Sequence, residues 1–225
     1  LKEVVDWSYE NVTSTLCSCL ATHAVLEFKY GQKRQPVGAK HWGVFPHNVV
    51  NRSHPLVKGV NTRFDIPHSR FNEISELQFA KAEVEVLAKS PIGVHLAVSP
   101  DLFRIVFFQG HPEYDAISLL KEYKREVALY LENNGTEYPP IPSNYLSLQS
   151  KTILEEYRAK LDSKNASIAD FPEALITNKL DNTWHDSANA IINNWIGCVY
   201  QITNEDIAKP FMDGIDPNNP LKLKK

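Results

Sequence analysis

The sequence predicts an α/β sandwich, an architecture in which helices pack on the faces of a β-sheet. Near the start, a small and β-prone segment at 13–19 leads directly into a segment with helical apolar spacing at 20–30. Three later segments are alternating or apolar in the manner of strands: 82–89, 93–99 and 102–108. Apolar residues then recur at helical spacing over 114–133 and 183–203. Strands and helices mixed along one chain favour the α/β class.

The composition is that of an ordinary globular protein and disfavours two classes of function. Of 225 residues, 43% are apolar and 23% are charged, and 24 Lys and Arg face 27 Asp and Glu. A chain of this length buries roughly 70% of its unfolded surface and needs no disulfide or metal to fold. The near-neutral charge gives no general attraction to nucleic acid or anionic membrane. No apolar run reaches the roughly 18 residues of a membrane-spanning helix.

The first half contains several further elements. Residues 1–12 have the pattern of the end of an amphipathic helix, and Gly31 stands where the second helix should have its C-cap. Residues 36–49 are expected to form turns and short strands, and 59–67 a loop that enters a strand. The chain begins at Leu1 rather than Met, so we expect a fragment or a processed product.

The second half is less regular. A proline-rich stretch at 138–143 is incompatible with regular helix or a central strand. Residues 146–165 are charged and helix-prone, whereas 166–182 fit no single pattern. We expect 221–225 to be a solvated end.

The three cysteines are Cys17, Cys19 and Cys198. An odd count is a poor disulfide framework, and the absence of a Cys-x-x-Cys pair argues against a thiolate zinc site. Reduced thiols in a cytoplasmic protein fit best. The histidines show no metal-binding spacing, and no glycine-rich phosphate loop occurs, so we expect no bound metal or nucleotide cofactor.

Cys19 is the first candidate for chemistry, because it falls where the first strand should pass into the helix. A nucleophile on such a tight turn lies beside free N–H groups of the following helix, which lower a thiol pKa and can hold an oxyanion. The turn requires small residues two positions before and after the nucleophile, here Cys17 and Ala21. Cys17 fits this pattern less well. The alternative is that both thiols are small core residues.

His111 and Glu113 are the second candidate. They follow the strand predicted at 102–108, at the sheet edge where α/β proteins place their sites. Two residues apart on an extended backbone, the side chains point the same way. The carboxylate can then fix the imidazole tautomer, and the imidazole can take a proton from a thiol. The alternative is a polar turn.

Pro67-His68-Ser69-Arg70 is a third cluster, after another strand-like segment. The Arg70 guanidinium could pair with a substrate carboxylate through two hydrogen bonds, and Ser69 could donate another. The alternative is a capped turn.

These residues, in this order, resemble the homoserine O-succinyltransferase/O-acetyltransferase family, which is built on a class I glutamine amidotransferase-like fold. The resemblance spans about residues 1–205. Its most specific strings are Pro-His-Ser-Arg at 67–70 and Gly-His-Pro-Glu-Tyr-Asp at 110–115. Further matching segments are 7–19, 43–47, 144–145 and 184–203.

The resemblance implies a three-layer, flavodoxin-like sandwich and an acyl-enzyme mechanism. An acetyl or succinyl group would pass from acyl-coenzyme A, a cosubstrate, to the cysteine and then to the hydroxyl of L-homoserine, in methionine biosynthesis. No permanently bound cofactor is implied. By position, Cys19 matches the nucleophile, His111 the general base and Glu113 the group that orients it. The matching substrate-pocket positions are Lys40, Ser69, Arg70 and Arg125, the last holding the homoserine carboxylate.

The resemblance also implies a domain division. Residues 1–205 would form the acyltransferase domain, with an insertion at about 147–181, and 206–225 a C-terminal tail. A homodimer is implied, and the family's N-terminal portion is missing. That portion supplies the first strands, one oxyanion donor and the residue that selects the acyl donor, so we expect an N-terminally incomplete sheet completed by such a portion or a partner chain.

Several departures from the family pattern leave alternatives open. Leu20 follows the cysteine in place of Trp, His23 replaces a glutamine, and Pro46 replaces a glutamate. The acceptor therefore stays open between homoserine, serine and another hydroxyl, and the donor between acetyl- and succinyl-coenzyme A. A non-catalytic relative acting as a binding or regulatory module is a second class. A glutamine amidotransferase or cysteine hydrolase is a third class with less support.

Overall fold

Six strands form one sheet in the computed structural model, which describes residues 1–132 and 137–224. The strands are β1 (Thr15–Ser18), β2 (Gln35–Val49), β3 (Arg63–Glu73), β4 (Glu85–Ser90), β5 (Gly93–Val98) and β6 (Ile105–Phe108). They lie in the order β1-β6-β5-β4-β2-β3. The β1–β6 pair is parallel and the other pairs are antiparallel. Asn133, the last residue of the helix predicted over 114–133, and Lys225 lie outside the described residues.

Seven α-helices flank the sheet in the described ranges. They are α1 (Lys2–Asn11), α2 (Leu20–Tyr30), α3 (Glu76–Lys81), α4 (Ser118–Glu132), α5 (Leu148–Asp162), α6 (Glu173–Thr177) and α7 (His185–Ile202). Short 3-10 turns occur at Pro55–Val57 and Ile168–Asp170. Gly31 ends α2 at φ 67°, as predicted for a C-cap. None of these helices is long and apolar enough to cross a membrane.

Two apolar clusters, one on each face of the sheet, give the three layers. Along β6, Ile105 and Phe107 pack with one cluster and Val106 and Phe108 with the other, as the two-residue period of a strand requires. The first cluster includes buried residues of α1, α2 and α3, and the second those of α4, α5 and α7. The α/β sandwich predicted from the sequence is confirmed.

The strand predictions were wrong in three details. The strand predicted at 82–89 begins only at Glu85, because Ala82 is the C-cap of α3 and Glu83 has φ 54°. Residues 36–49 form most of one long strand, β2, because 63–73 pair with it along nearly its whole length through one irregularity. The strand predicted at 102–108 is shorter, because Leu102 has φ 71° and the Asp101 carboxylate accepts the N–H groups of Phe103 and Arg104. These bonds form a turn in place of a ladder.

The proline-rich stretch is attached to β2 through Gly43, which has φ 141° and forms a bridge with Ser143. A Cβ on Gly43 would overlap the Ser143 backbone, so the close approach requires glycine. After it, α5 and α6 place buried Leu154 and Ile176 in the same cluster as α4. Within 206–224, Phe211 is buried in that cluster.

Candidate active site

Cys19 lies on a sharp turn between β1 and α2. Its backbone has φ 47° and ψ −108°, a conformation that costs a non-glycine residue about 1–3 kcal/mol. The Cys19 N–H donates to the Phe108 carbonyl at 2.8 Å, and the Cys19 carbonyl accepts from the His23 N–H at 3.1 Å. Because Cys19 is the N-cap of α2, it lies beside the first N–H groups of that helix, which lack intrahelical partners.

The two neighbouring thiols, Cys17 and Cys19, differ in their exposure to solvent. Cys17 is 4% exposed in the core, and burial raises its pKa to about 11. Cys19 is partly exposed. A buried thiol with a raised pKa carries almost no thiolate at neutral pH, so Cys19 is the one placed for chemistry.

His111 and Glu113 lie just beyond the end of β6, next to this turn. The His111 backbone N–H donates to the Pro67 carbonyl at 2.8 Å, which ties the segment to β3. The imidazole Nδ1 is 2.8 Å from Glu113 Oε1. Ser18, the residue before the cysteine, donates its hydroxyl to the same carboxylate at 3.1 Å. The Glu113 carboxylate therefore links the turn at Cys19 to the segment that carries His111.

The electrostatics favour a charged imidazole. Burial lowers the pKa of His111, but hydrogen bonding and charge interaction with Cys19 and Glu113 raise it by more, to about 9. For Glu113, burial raises the pKa, and the bond from His111 brings it below its usual value. With Nδ1 bonded to the carboxylate, Nε2 is the nitrogen left to exchange a proton with the thiol. A thiol beside an imidazole that is held by a carboxylate is the arrangement that activates a cysteine nucleophile.

Lys40 and Ser69 lie on the paired strands β2 and β3. The Lys40 ammonium stacks 3.8 Å from the centroid of the Trp42 ring, and burial lowers its pKa. Trp42 and Ser69 are direct partners across the two strands. The Ser69 hydroxyl donates to Glu122 Oε2 at 2.6 Å. Both candidate residues therefore belong to one polar group near α4.

The two candidate arginines have different surroundings. Arg70 is 3% exposed, and its guanidinium donates to His68 Nδ1 at 3.2 Å and to the Ile92 carbonyl at 2.6 Å. These protein acceptors use the hydrogen bonds that a substrate carboxylate would need. The Arg125 side chain is 63% exposed, beside Glu126 at 3.2 Å. A substrate role for Arg70 stays a prediction with less geometric support than that for Arg125.

Glu122 was missed in the sequence. Its carboxylate accepts hydrogen bonds from Trp42 Nε1 at 2.9 Å, from Ser69 and from the Tyr114 hydroxyl at 2.5 Å. The only signal in the sequence was its position three residues before Arg125, on the same side of a helix. Its donors are remote in sequence, so no local pattern could identify it.

A cavity of about 470 Å³ opens beside Glu113. Its lining includes Ser18 and Tyr114 next to the candidate triad, and Trp184 and Ile192 from the α7 region. The cavity therefore has room for an apolar group of a ligand next to the candidate triad. Within 1–132 and 137–224, no three His, Cys, Asp or Glu side chains are grouped to hold a metal ion.

Comparison with solved structures identifies the class of the fold. A glutamine amido transferase from Methylobacillus flagellatus superimposes with a TM-score of 0.50 at 13% identity, over 87% of this chain and 66% of that one. At this identity the likeness concerns the fold alone, which is of the class I glutamine amidotransferase-like type.

Comparison of sequences then identifies the family. The profile of the homoserine O-succinyltransferase family matches residues 1–205, and the chain belongs to that family. The homoserine O-succinyltransferase of Nitrosococcus oceani is 61% identical over all of this chain, and that of Thioalkalivibrio nitratireducens is 59% identical. The chain spans 64% of the length of each of these relatives.

Proposed function

We propose that the protein transfers a succinyl group from succinyl-coenzyme A to the hydroxyl of L-homoserine, through a thioester on Cys19. The observation that carries the proposal is the grouping of Cys19, His111 and Glu113 in a chain of this family. The names of the most similar relatives favour succinyl over acetyl as the transferred group.

In the first half-reaction, the Cys19 proton passes to His111 and the thiolate attacks the thioester carbonyl of the acyl donor. A new carbon–sulfur bond forms, the bond to coenzyme A breaks, and the departing thiolate takes the proton back from the imidazolium. Glu113 holds the imidazole in the required tautomer and stabilises its charged form. Acyl-coenzyme A serves as a cosubstrate, and no permanent cofactor is needed.

In the second half-reaction, His111 takes the proton of the acceptor hydroxyl. The oxygen attacks the acyl carbon, the bond to the Cys19 sulfur breaks, and the proton returns to that sulfur. Arg125 would bind the acceptor carboxylate, with Lys40 and Ser69 nearby. All three cysteines lack disulfide partners, in keeping with the reducing cytoplasm that we propose as the location.

Intact-protein mass spectrometry tests the first half-reaction. The complete gene product carrying these residues is incubated briefly with succinyl- or acetyl-coenzyme A and no acceptor. We expect a succinyl adduct on the wild type and on Cys17→Ala, and none on Cys19→Ala. Homoserine should discharge the adduct faster than serine does.

The outcomes separate the alternatives. If serine rather than homoserine discharged the adduct, serine would be the acceptor. If only an acetyl adduct formed, acetyl-coenzyme A would be the donor. A folded sample that forms no adduct with either donor would refute the transferase proposal and favour a non-catalytic relative. Release of ammonia from glutamine would favour an amidotransferase.

A further inference from the structure

We propose that Tyr114 is a positioning residue that fixes the plane of the His111 imidazole, and that Glu122 holds Tyr114 in place. The inference rests on the proposed function, because it assigns His111 the role of base toward Cys19. It concerns two residues that contact the triad or its support without taking part in bond making.

The Tyr114 ring covers one face of the imidazole. The centroids of the two rings are 4.2 Å apart and their planes are inclined by 22°, which is a stacked arrangement. The Nδ1–Glu113 bond fixes one atom of the imidazole but allows the ring to rotate about the bond axis. A flat partner on the face removes that rotation. Stacking and hydrogen bonding together determine where Nε2 points.

Tyr114 is itself fixed at both ends. Its backbone carbonyl accepts the indole N–H of Trp184 at 2.7 Å, and Trp184 is fully buried. Its hydroxyl donates to Glu122 Oε1 at 2.5 Å. Burial and the bond to Glu122 raise the pKa of Tyr114, so the phenol stays protonated and remains a donor. The ring therefore has little freedom to move away from the imidazole.

Glu122 connects Tyr114 to the β-sheet through hydrogen bonds. Its second oxygen accepts from Ser69 on β3 at 2.6 Å and from the Trp42 indole on β2 at 2.9 Å. A carboxylate with donors on both oxygens has one preferred orientation, and charged acceptors make the stronger hydrogen bonds. The orientation of His111 is thus tied to strands β2 and β3 through Glu122 and Tyr114.

Alkylation of Cys19 by iodoacetamide tests the inference without any acyl donor or acceptor. The rate is followed by peptide mass mapping from pH 5 to 9.5 in the complete gene product. The titratable groups near the imidazole are Cys19, Glu113 and Tyr114, with His68 and His95 behind it. In the wild type, a thiolate–imidazolium pair should give a reactive plateau below the pH at which a free thiol ionises.

Tyr114→Leu should lower the alkylation rate at pH 7 by about tenfold or more and abolish the plateau, because small displacements of a catalytic group have large effects on rate. Tyr114→Phe keeps the ring but loses the hydroxyl, so most of the plateau should be retained. Glu122→Gln should give a similar partial loss. The matched control is Tyr145→Phe, since the Tyr145 hydroxyl bonds Ala116 at 2.5 Å in the same region and its ring does not stack on His111.

A plateau of wild-type height in Tyr114→Leu would overturn the inference while leaving the proposed function intact. A wild type that titrates as an isolated thiol would overturn both. Thermal unfolding checks that each variant is folded. If Tyr114→Leu does not fold, the test rests on Tyr114→Phe and Glu122→Gln. The inference would be overturned if both variants kept the wild-type alkylation profile and differed from the wild type only in a lowered Tm, as expected for Tyr145→Phe.

Discussion

Two regions of the protein shift the pKa of a histidine side chain in opposite directions. In the candidate active site, the mostly buried imidazole of His111 is paired with the half-exposed carboxylate of Glu113. Behind it lies a buried histidine cluster on β2, β3 and β5, which consists of His47, His68 and His95. The Arg70 guanidinium donates a hydrogen bond to the His68 ring of that cluster.

The neighbours of each ring determine its charge. His111 has a pKa raised to about 9, despite its burial, by Cys19 and Glu113. In the cluster, burial lowers the pKa of His47 to about 4 and those of His68 and His95 well below the usual value. Because His68 Nδ1 accepts from Arg70, its proton lies on Nε2 and the ring is neutral. Only the region with a carboxylate is suited to move a proton at neutral pH.

The largest expected effect comes from His111→Gln, which removes the base. Acylation of Cys19 should fall by about 10³-fold, within the range for loss of general acid–base catalysis. The unfolding free energy at pH 7 should also fall, because the interactions that raise the His111 pKa to about 9 in the folded protein are lost. Rapid-quench mass spectrometry of the adduct measures the rate, and urea unfolding measures the stability.

His95→Leu is the matched variant in the cluster. Neither ring nitrogen of His95 has a hydrogen-bond partner among the described residues, so an apolar side chain of similar size removes two unpaired polar atoms. We expect it to raise stability by about 1 kcal/mol at pH 7 and to leave acylation within a few-fold of wild type. A 10³-fold loss of acylation in His95→Leu would contradict the view that the histidine cluster takes no part in the reaction.

The second effect is a loss of stability in acid. The native cluster excludes protons that the unfolded histidines bind below pH 6.5, so the unfolding free energy should fall as the pH decreases from about 6.5 towards 4. His47 alone corresponds to about 3 kcal/mol over that interval. His111 has the opposite sign: its contribution is complete below pH 6.5 and is lost as the pH rises through about 9.

Urea unfolding at pH 7 and pH 5 measures this loss. His95→Leu should lose less stability than the wild type between the two values, since it has one buried histidine fewer. His111→Gln should lose as much as the wild type or slightly more. Equal losses in the wild type and in His95→Leu would show that the cluster does not determine the acid sensitivity.

The smallest effect extends the comparison to the two arginines. Arg125→Ala should raise KM for the amino-acid acceptor about tenfold, the lower end for a charged hydrogen bond at an exposed site, without changing acylation. Arg70→Lys should instead lower the unfolding free energy by about 2 kcal/mol, because lysine cannot reproduce the fork that bonds His68 and Ile92. Steady-state kinetics and urea unfolding measure the pair.

The reverse result would be informative. If Arg70→Lys raised KM for the acceptor with stability unchanged, the buried guanidinium would have to reach the substrate after all. Arg125→Lys is the control for charge, since it keeps a cation but loses the planar guanidinium.

Local patterns were enough to predict the turn at Cys19, the glycine C-cap at Gly31 and the neighbouring His111 and Glu113. Each depends on a strand or helix end that a few adjacent residues define. The register of β2 on β3 was not predictable in this way, because it depends on residues far apart in the chain. For the same reason, Glu122 and the buried histidine cluster appeared only once strands and helices were in place.

The backbone at Cys19 has a consequence for the history of such a chain. At φ 47° and ψ −108°, glycine would be the least strained residue, yet glycine has no thiol. The position is therefore one where folding and the proposed chemistry prefer different residues, and a thiol there comes at a cost in stability. If the proposed reaction were no longer needed in a lineage, we would expect glycine to replace this cysteine early, so the residue at this position would indicate whether the reaction is still used.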